Sequence, residues 1–197
     1  MSAHEVRALR ADAQRNRARL LDVAVHAFHD DGPDVTMDSI AKAAHVGIGT
    51  LYRHFPTRES LVEAVYRSEL ARVCDRVEPL SARLRPDEAL RAWMDGFIAY
   101  MATKRQMADA LRVVIASGRN PYSESRDRLL DAIGTLLRAG TEARVVRPDV
   151  QPGDVLASLS GISLVAGEPD QRDLAQRLLD LLMDGLRRPR DGSAPLG

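Results

Sequence analysis

The residues of this chain best suited to chemistry are arranged for recognition and not for catalysis. From Gly49 to His54 the sequence offers the hydroxyls of Thr50 and Tyr52, the guanidinium of Arg53 and the imidazole of His54, while Leu51 and Phe55 turn the other way at helical spacing. That pattern is a narrow polar ridge on an apolar segment, and a ridge of donors suits a groove lined with phosphates. Thr50 can meet a base edge or a phosphate, and Ile48 can pack on a thymine methyl or simply join the core. Arg53 has the fork that grips a guanine, and the same fork can clamp a phosphate. Gly49 contributes almost no side chain. No order of Ser, His and Asp, no phosphate-cradling glycine loop and no metal-spaced Cys/His set accompanies them, and all five histidines fall within residues 4–54. No catalytic residue, metal or cofactor is expected. His26 and His29 share a helix face with Asp22 and Asp30, which reads as a solvated side opposite Leu21, Ala24, Val25 and Phe28. Cys74 stands alone, so an intrachain disulfide is impossible and a buried, apolar role fits it best.

Short helices must position the ridge. Thr36 can cap a helix that starts near Met37 and carries Ile40, Ala41 and Ala44 on one face. His45, Val46 and Gly47 break its period, and the glycine is expected to take the backbone angles that a sharp turn needs. A second helix starts near Ile48 and stops at Pro56. Thr57 then caps a third, with Leu61, Val62, Val65 and Tyr66 at helical spacing. Upstream, Leu20, Leu21, Ala24, Val25 and Phe28 form a stripe ended by Asp30-Asp31-Gly32-Pro33.

Thr36, Ile40, Ala41, Ala44, Val46, Gly47 and Leu61, together with the GTLYRHF string from Gly49 to Phe55, carry a resemblance to the TetR family of transcriptional regulators. The match extends over about residues 15–70. The resemblance implies a helix-turn-helix whose second helix enters the major groove of double-stranded DNA. It assigns DNA-backbone contacts to Thr36, Tyr52, His54 and Arg58, and leaves base reading to Ile48, Gly49, Thr50 and Arg53. It further implies a homodimer on an inverted-repeat operator, repression as the usual sign, and release by a small, largely apolar effector. A regulator with no small-molecule ligand, controlled by protein level or a protein partner, is the alternative.

Composition permits this. The chain has 197 residues, 45% hydrophobic and 28% charged, with 4% aromatic residues and no alternating strand pattern. An all-α protein of about nine helices is expected. The formal net charge of +0 at pH 7 lacks the basic excess usual in nucleic-acid binders. Its distribution matters more: Arg7, Arg10, Arg15, Arg17 and Arg19 face only Asp12 in residues 7–19, whereas Asp30, Asp31 and Asp34 lie beyond. Arg15 and Arg17 are therefore placed along the DNA backbone or its minor groove. The expected organisation is a basic arm over 1–14, a DNA-binding domain over 15–62, an effector-binding and dimerisation domain over 63–188, and a disordered tail over 189–197. The charged N-terminus and the lack of a long apolar stretch predict a cytoplasmic protein with no membrane partner.

Residues 71–150 read as a helical chamber, and Ala89-Leu90-Arg91-Ala92-Trp93-Met94 and Ala102-Thr103-Lys104-Arg105 resemble SbtR-like C-terminal domains, with Gln106 standing where glycine is expected. Trp93, Met94, Phe97, Tyr100, Met101, Met107, Leu111, Tyr122 and Ile133 are the candidate effector contacts, though such residues at helical spacing also build plain cores. Leu111, Val114 and Ile115 are expected to share the inner face of one helix. An effector there would tilt the helix beginning at Thr57. Leu156, Leu159 and Ile162 on one amphipathic helix, and Leu178, Leu181, Leu182 and Leu186 on the next, are the candidate dimer face, a four-helix bundle by family resemblance.

Overall fold

The computed structural model describes residues 3–30, 35–118, 120–122, 124–166 and 169–188. Among these the chain is helical without a β-strand: α1 (Ala3–Asp30), α2 (Met37–Ala43), α3 (Ile48–His54), α4 (Arg58–Cys74), α5 (Val77–Ser81), α6 (Pro86–Gln106), α7 (Ala108–Ala116), α8 (Ser125–Glu142), α9 (Pro152–Val165) and α10 (Arg172–Leu186), with a 3₁₀ turn at Pro169–Gln171. The all-α expectation holds. No described helix is long and apolar enough to cross a membrane. Prolines open α6 and α9, where a fixed φ and a missing N–H cost nothing. The tail from Pro189 and the breaks at 31–34 and 167–168 lie outside the described residues.

Two compact units emerge: Met1–Glu69 with Thr103–Pro121, and Leu70–Ala102 with Tyr122–Gly197. This differs from the expected boundaries at two places. The segment expected as an arm continues α1 from Ala3, in keeping with its alanines and leucine, which are strong helix formers. Residues 103–121 join the first unit, because Ala110 and Val113 of α7 lie against Arg58, Glu59 and Val62 in the first turns of α4.

In the first unit α1 packs on α2 and α2 on α3. Leu20, Ala24 and Phe28 of α1, Ile40 of α2, Leu51 of α3 and Leu61 and Val65 of α4 are all buried. Each large side chain so removed from water contributes about 1.5–3 kcal/mol. On α7, Leu111 and Val114 face inward, but Ile115 is 45% exposed, against the expected inner face. One residue is a 100° step on a helix, so Ile115 cannot share the inward direction with both. After α7, Gly118 takes φ +83, a left-handed conformation that favours glycine.

In the second unit α8 packs on α9, α9 on α10 and α5 on α8. Trp93, Met94 and Phe97 of α6, Ile133 and Leu136 of α8, Leu159 of α9 and Leu179 of α10 form its interior. The buried Trp93 indole N–H donates to the Val73 carbonyl at 2.9 Å, so the ring is held without an unsatisfied donor. Arg91 ties α6 to α10: it donates to Asp180 at 2.9 Å and to Gln176 at 2.7 Å, while Gln176 donates to Asp95 at 2.8 Å. The turn after α8 closes on the end of α10 through Arg147 N–H to Leu186 O at 3.0 Å and Arg188 N–H to Val145 O at 3.2 Å.

Candidate nucleic-acid interface

Two reciprocal caps frame the ridge. The Thr36 hydroxyl accepts from Ser39 N–H at 3.1 Å, and Ser39 Oγ accepts from Thr36 N–H at 3.2 Å. Thr57 and Ser60 repeat the arrangement at the start of α4, each bond again 3.1 Å. Both threonines were readable from sequence; their serine partners were missed, although a Thr-x-x-Ser spacing mimics a capping box. Within α2, Lys42 pairs with Asp38 at 2.7 Å, and that hydrogen bond and charge hold the Lys42 pKa above its ordinary value.

The turn between α2 and α3 departs from expectation. His45, not Gly47, is left-handed, at φ 54, while Gly47 is extended at φ −66 and ψ 143. His45 N–H bonds Lys42 O and Val46 N–H bonds Ala41 O, both at 3.0 Å, the paired bonds of a Schellman helix end. Those bonds fix the left-handed position one residue after the Ala44 cap, wherever the glycine stands.

Beyond the turn, Leu51 and Phe55 anchor α3 in the core, and the opposite side faces solvent: Ile48 is 39% exposed, Tyr52 47%, and Gly49 and Arg53 are exposed too. Thr50 and His54 are half-buried at its edges. Ile48 is therefore not core. Tyr52 and Arg53 have no hydrogen bond or ion pair with the described residues, so their polar groups are uncommitted. Arg58 is differently placed. Its guanidinium donates to the Val35 carbonyl and lies 5.4 Å from the Phe28 ring centroid, bracing α4 against α1 and the entry to α2. Arg15 is exposed and pairs with Asp12. Arg17 lies 5.3 Å from the Phe55 ring centroid and, with His54, Ser60 and Arg67, lines an open hollow of about 460 Å³ beside α4. Sequence reasoning missed Ser60 and Arg67 there. His26 is exposed, with Nδ1 2.8 Å from Asp22 O; the His29 side chain lies outside the described residues.

The candidate effector residues are split between the units, Met107 and Leu111 in the first and the rest in the second. Trp93, Met94, Phe97, Tyr100, Met107, Leu111 and Ile133 are buried, whereas Met101 and Tyr122 are half-buried. Trp93, Phe97 and Tyr100 form a series of rings with successive centroids 6.0 Å apart. Lys104 lies 5.9 Å from the Tyr66 ring centroid, and burial pushes its pKa down.

Among the candidate dimer residues, Leu156, Leu159 and Leu186 are buried within the protomer. Ile162, Leu178 and Leu182 are half-buried, and Leu181 is 68% exposed. Leu164 at 81% and Val165 at 58% extend the exposed apolar surface and were not anticipated.

Comparison with known proteins agrees with this geometry. Residues 20–65 match the model of bacterial regulatory proteins of the TetR family, and residues 85–188 that of the SbtR-like transcriptional regulator C-terminal domain. The crystal structure of the TetR transcriptional regulator SCO0520 from Streptomyces coelicolor is 50% identical, with a TM-score of 0.84 over 88% of this chain and 99% of that one. A TetR regulatory protein from Mycobacterium vanbaalenii is 36% identical, with a TM-score of 0.76 over 91% of this chain and 99% of that one. An HTH-type transcriptional regulator of Staphylococcus aureus (strain USA300) is 38% identical over 63 residues, 32% of this chain; the chain spans 34% of that curated relative's length. The helix-turn-helix unit and the helical unit that follows it belong together in one lineage: the chain is a member of the TetR family of bacterial regulators.

Proposed function

We propose that this protein is a transcriptional repressor that holds an inverted-repeat DNA operator as a homodimer and is released by a small, largely apolar effector. The observation that carries the reading is α3, whose Ile48, Tyr52 and Arg53 stand exposed on a helix anchored from behind by Leu51 and Phe55. Thr36, Gly49, Thr50, Tyr52, His54 and Arg15 complete a DNA-facing surface in which backbone contacts set register and α3 reads bases. Arg17 contributes beside His54. Arg58 acts chiefly by holding α4 in place, since its guanidinium already serves Val35 and Phe28.

One short helix reads few base pairs, and each correct contact is worth roughly 1–3 kcal/mol, so tight specific binding needs two copies about 34 Å apart. The outward residues of α9 and α10 supply the pairing face. An effector lodged among the middle helices would move α4 and put the two readers out of register.

The complete burial of Trp93, Met94 and Ile133 favours the second reading, a DNA-binding regulator with no small-molecule ligand, since these residues already fill a core. Operator release by hydrophobic compounds separates the two.

Selection of bound sequences from a randomised DNA pool tests the central reading. Native protein is expected to enrich an inverted repeat that a Tyr52→Ala, Arg53→Ala variant no longer holds. Enrichment of no sequence, or equal retention by the variant, would sink it.

A further inference from the structure

Gln106, the last residue of α6, ends in a polar atom that the protein leaves unmatched. Its Oε1 is shielded from solvent, and the side chain has no hydrogen-bond partner among the described residues. Three other shielded polar atoms lack a hydrogen bond among those residues, and each belongs to a group engaged elsewhere. Arg91 sits in the network with Asp95 and Asp180, Asp87 lies 3.5 Å from Arg85, and Glu69 has further interactions. Gln106 alone of the four has no engagement. Its surroundings make the mismatch costly: Met107, which follows it and caps α7, is 1% exposed, and Leu111 one turn on is fully buried. A carbonyl oxygen removed from water without a donor is destabilising, and an apolar side chain of the same length would remove that penalty.

From this we infer that Gln106 is a recognition residue for the effector, its Oε1 accepting a hydrogen bond from an N–H or O–H on an otherwise apolar molecule. The inference rests on the effector reading above and narrows it: the ligand class is amphipathic, an apolar body with one donor, and not a plain hydrocarbon. Position gives the contact leverage. Gln106 stands at the junction of α6 and α7, and α7 lies against the first turns of α4 through Ala110 and Val113. A donor bound there pulls on the start of α7, which bears on the helix that Thr57 caps.

The test compares 1-naphthol with 1-methoxynaphthalene, bodies of nearly equal size of which only the first donates, by calorimetric titration of the full-length native protein and of Gln106→Met. The native protein is expected to bind the naphthol at least about tenfold tighter, the difference one well-placed hydrogen bond supplies. The variant should bind the two within about threefold of each other. Its melting temperature without ligand should rise by about 2–4 °C, the shift that relief of one buried unsatisfied group gives in a chain of this size. Equal preference in both proteins would overturn the role of Gln106 while leaving the effector reading intact. Failure of the native protein to bind either compound would count against the effector reading itself. A fall in the variant's melting temperature would show that the amide serves the fold, through a bridging water, and not a ligand.

Discussion

At the scale of single side chains, Arg53 and Arg58 are both basic residues beside the reading helix, yet their surroundings give them different work. Arg53 is exposed and uncommitted, so Arg53→Ala should leave thermal stability unchanged and weaken operator binding by about 1–3 kcal/mol. Quantitative binding across a salt series and a set of operator variants reads its role. Lost preference at one base pair marks a base contact, whereas uniform weakening with a shallower salt slope marks a phosphate contact. No loss of affinity would remove Arg53 from the interface. Arg58→Ala should instead lower the melting temperature, because it strips a donor from the Val35 carbonyl and a cation from the Phe28 ring. Cys74 makes a quieter prediction. Burial pushes its pKa above the model value of 9.0, despite the opposing charge of Arg128, so thiolate is scarce at neutral pH. Alkylation by iodoacetamide at pH 8 should be slower than for an unperturbed thiol and should keep accelerating as pH rises past 9.0; a rate already on its plateau at pH 8 would contradict the burial argument.

Elements show what periodicity could and could not convey. The polar ridge of α3 was legible because residue type and spacing both point outward, and its anchors Leu51 and Phe55 are buried as their positions demand. The turn before it was legible as a turn but not in detail. A glycine attracts the left-handed assignment, whereas the bonds from His45 to Lys42 and from Val46 to Ala41 settle which residue takes it. His45→Gly should therefore stabilise the protein by about 1 kcal/mol, since a side chain at positive φ costs roughly that much. A chemical denaturation midpoint that fails to rise would argue that His45 makes an interaction offsetting its strain. The opposite change is expected in α8: a Cβ at Gly140 would stand 2.5 Å from Val146 Cγ2, so Gly140→Ala should destabilise by about 1–3 kcal/mol as the following turn is forced away. The grouping of α7 with the first unit escaped sequence reasoning for a related reason: an amphipathic stripe says that a helix packs, not on what.

Across the whole molecule the same ambiguity becomes informative in α10, which is apolar on two sides. Ala175, Leu179, Met183 and Leu186 face inward, a stripe that the choice of Leu178, Leu181, Leu182 and Leu186 only partly captured. The other stripe runs through Leu178 and Leu182, half-buried, to Leu181 at 68% exposure. A helix in a two-layer fold needs one apolar face, so the second must be covered by something else. The outer face of α9 offers a matching surface, with small Ser158 and Gly161 allowing close approach and Leu164 and Val165 exposed beside them. A second copy satisfies this geometry twice over, as a two-fold interface buries the same stripe from each partner. Leu181→Arg places a charge in the middle of that stripe and touches no buried residue. It should leave the melting profile of the fold in place, convert the protein to a monomer by sedimentation velocity, and weaken operator binding by about 10²–10⁴-fold as one reader acts without the other. A variant that stays dimeric would move the pairing face away from α10, and a native protein that sediments as a monomer at micromolar concentration would remove the dimer from the proposed mechanism altogether.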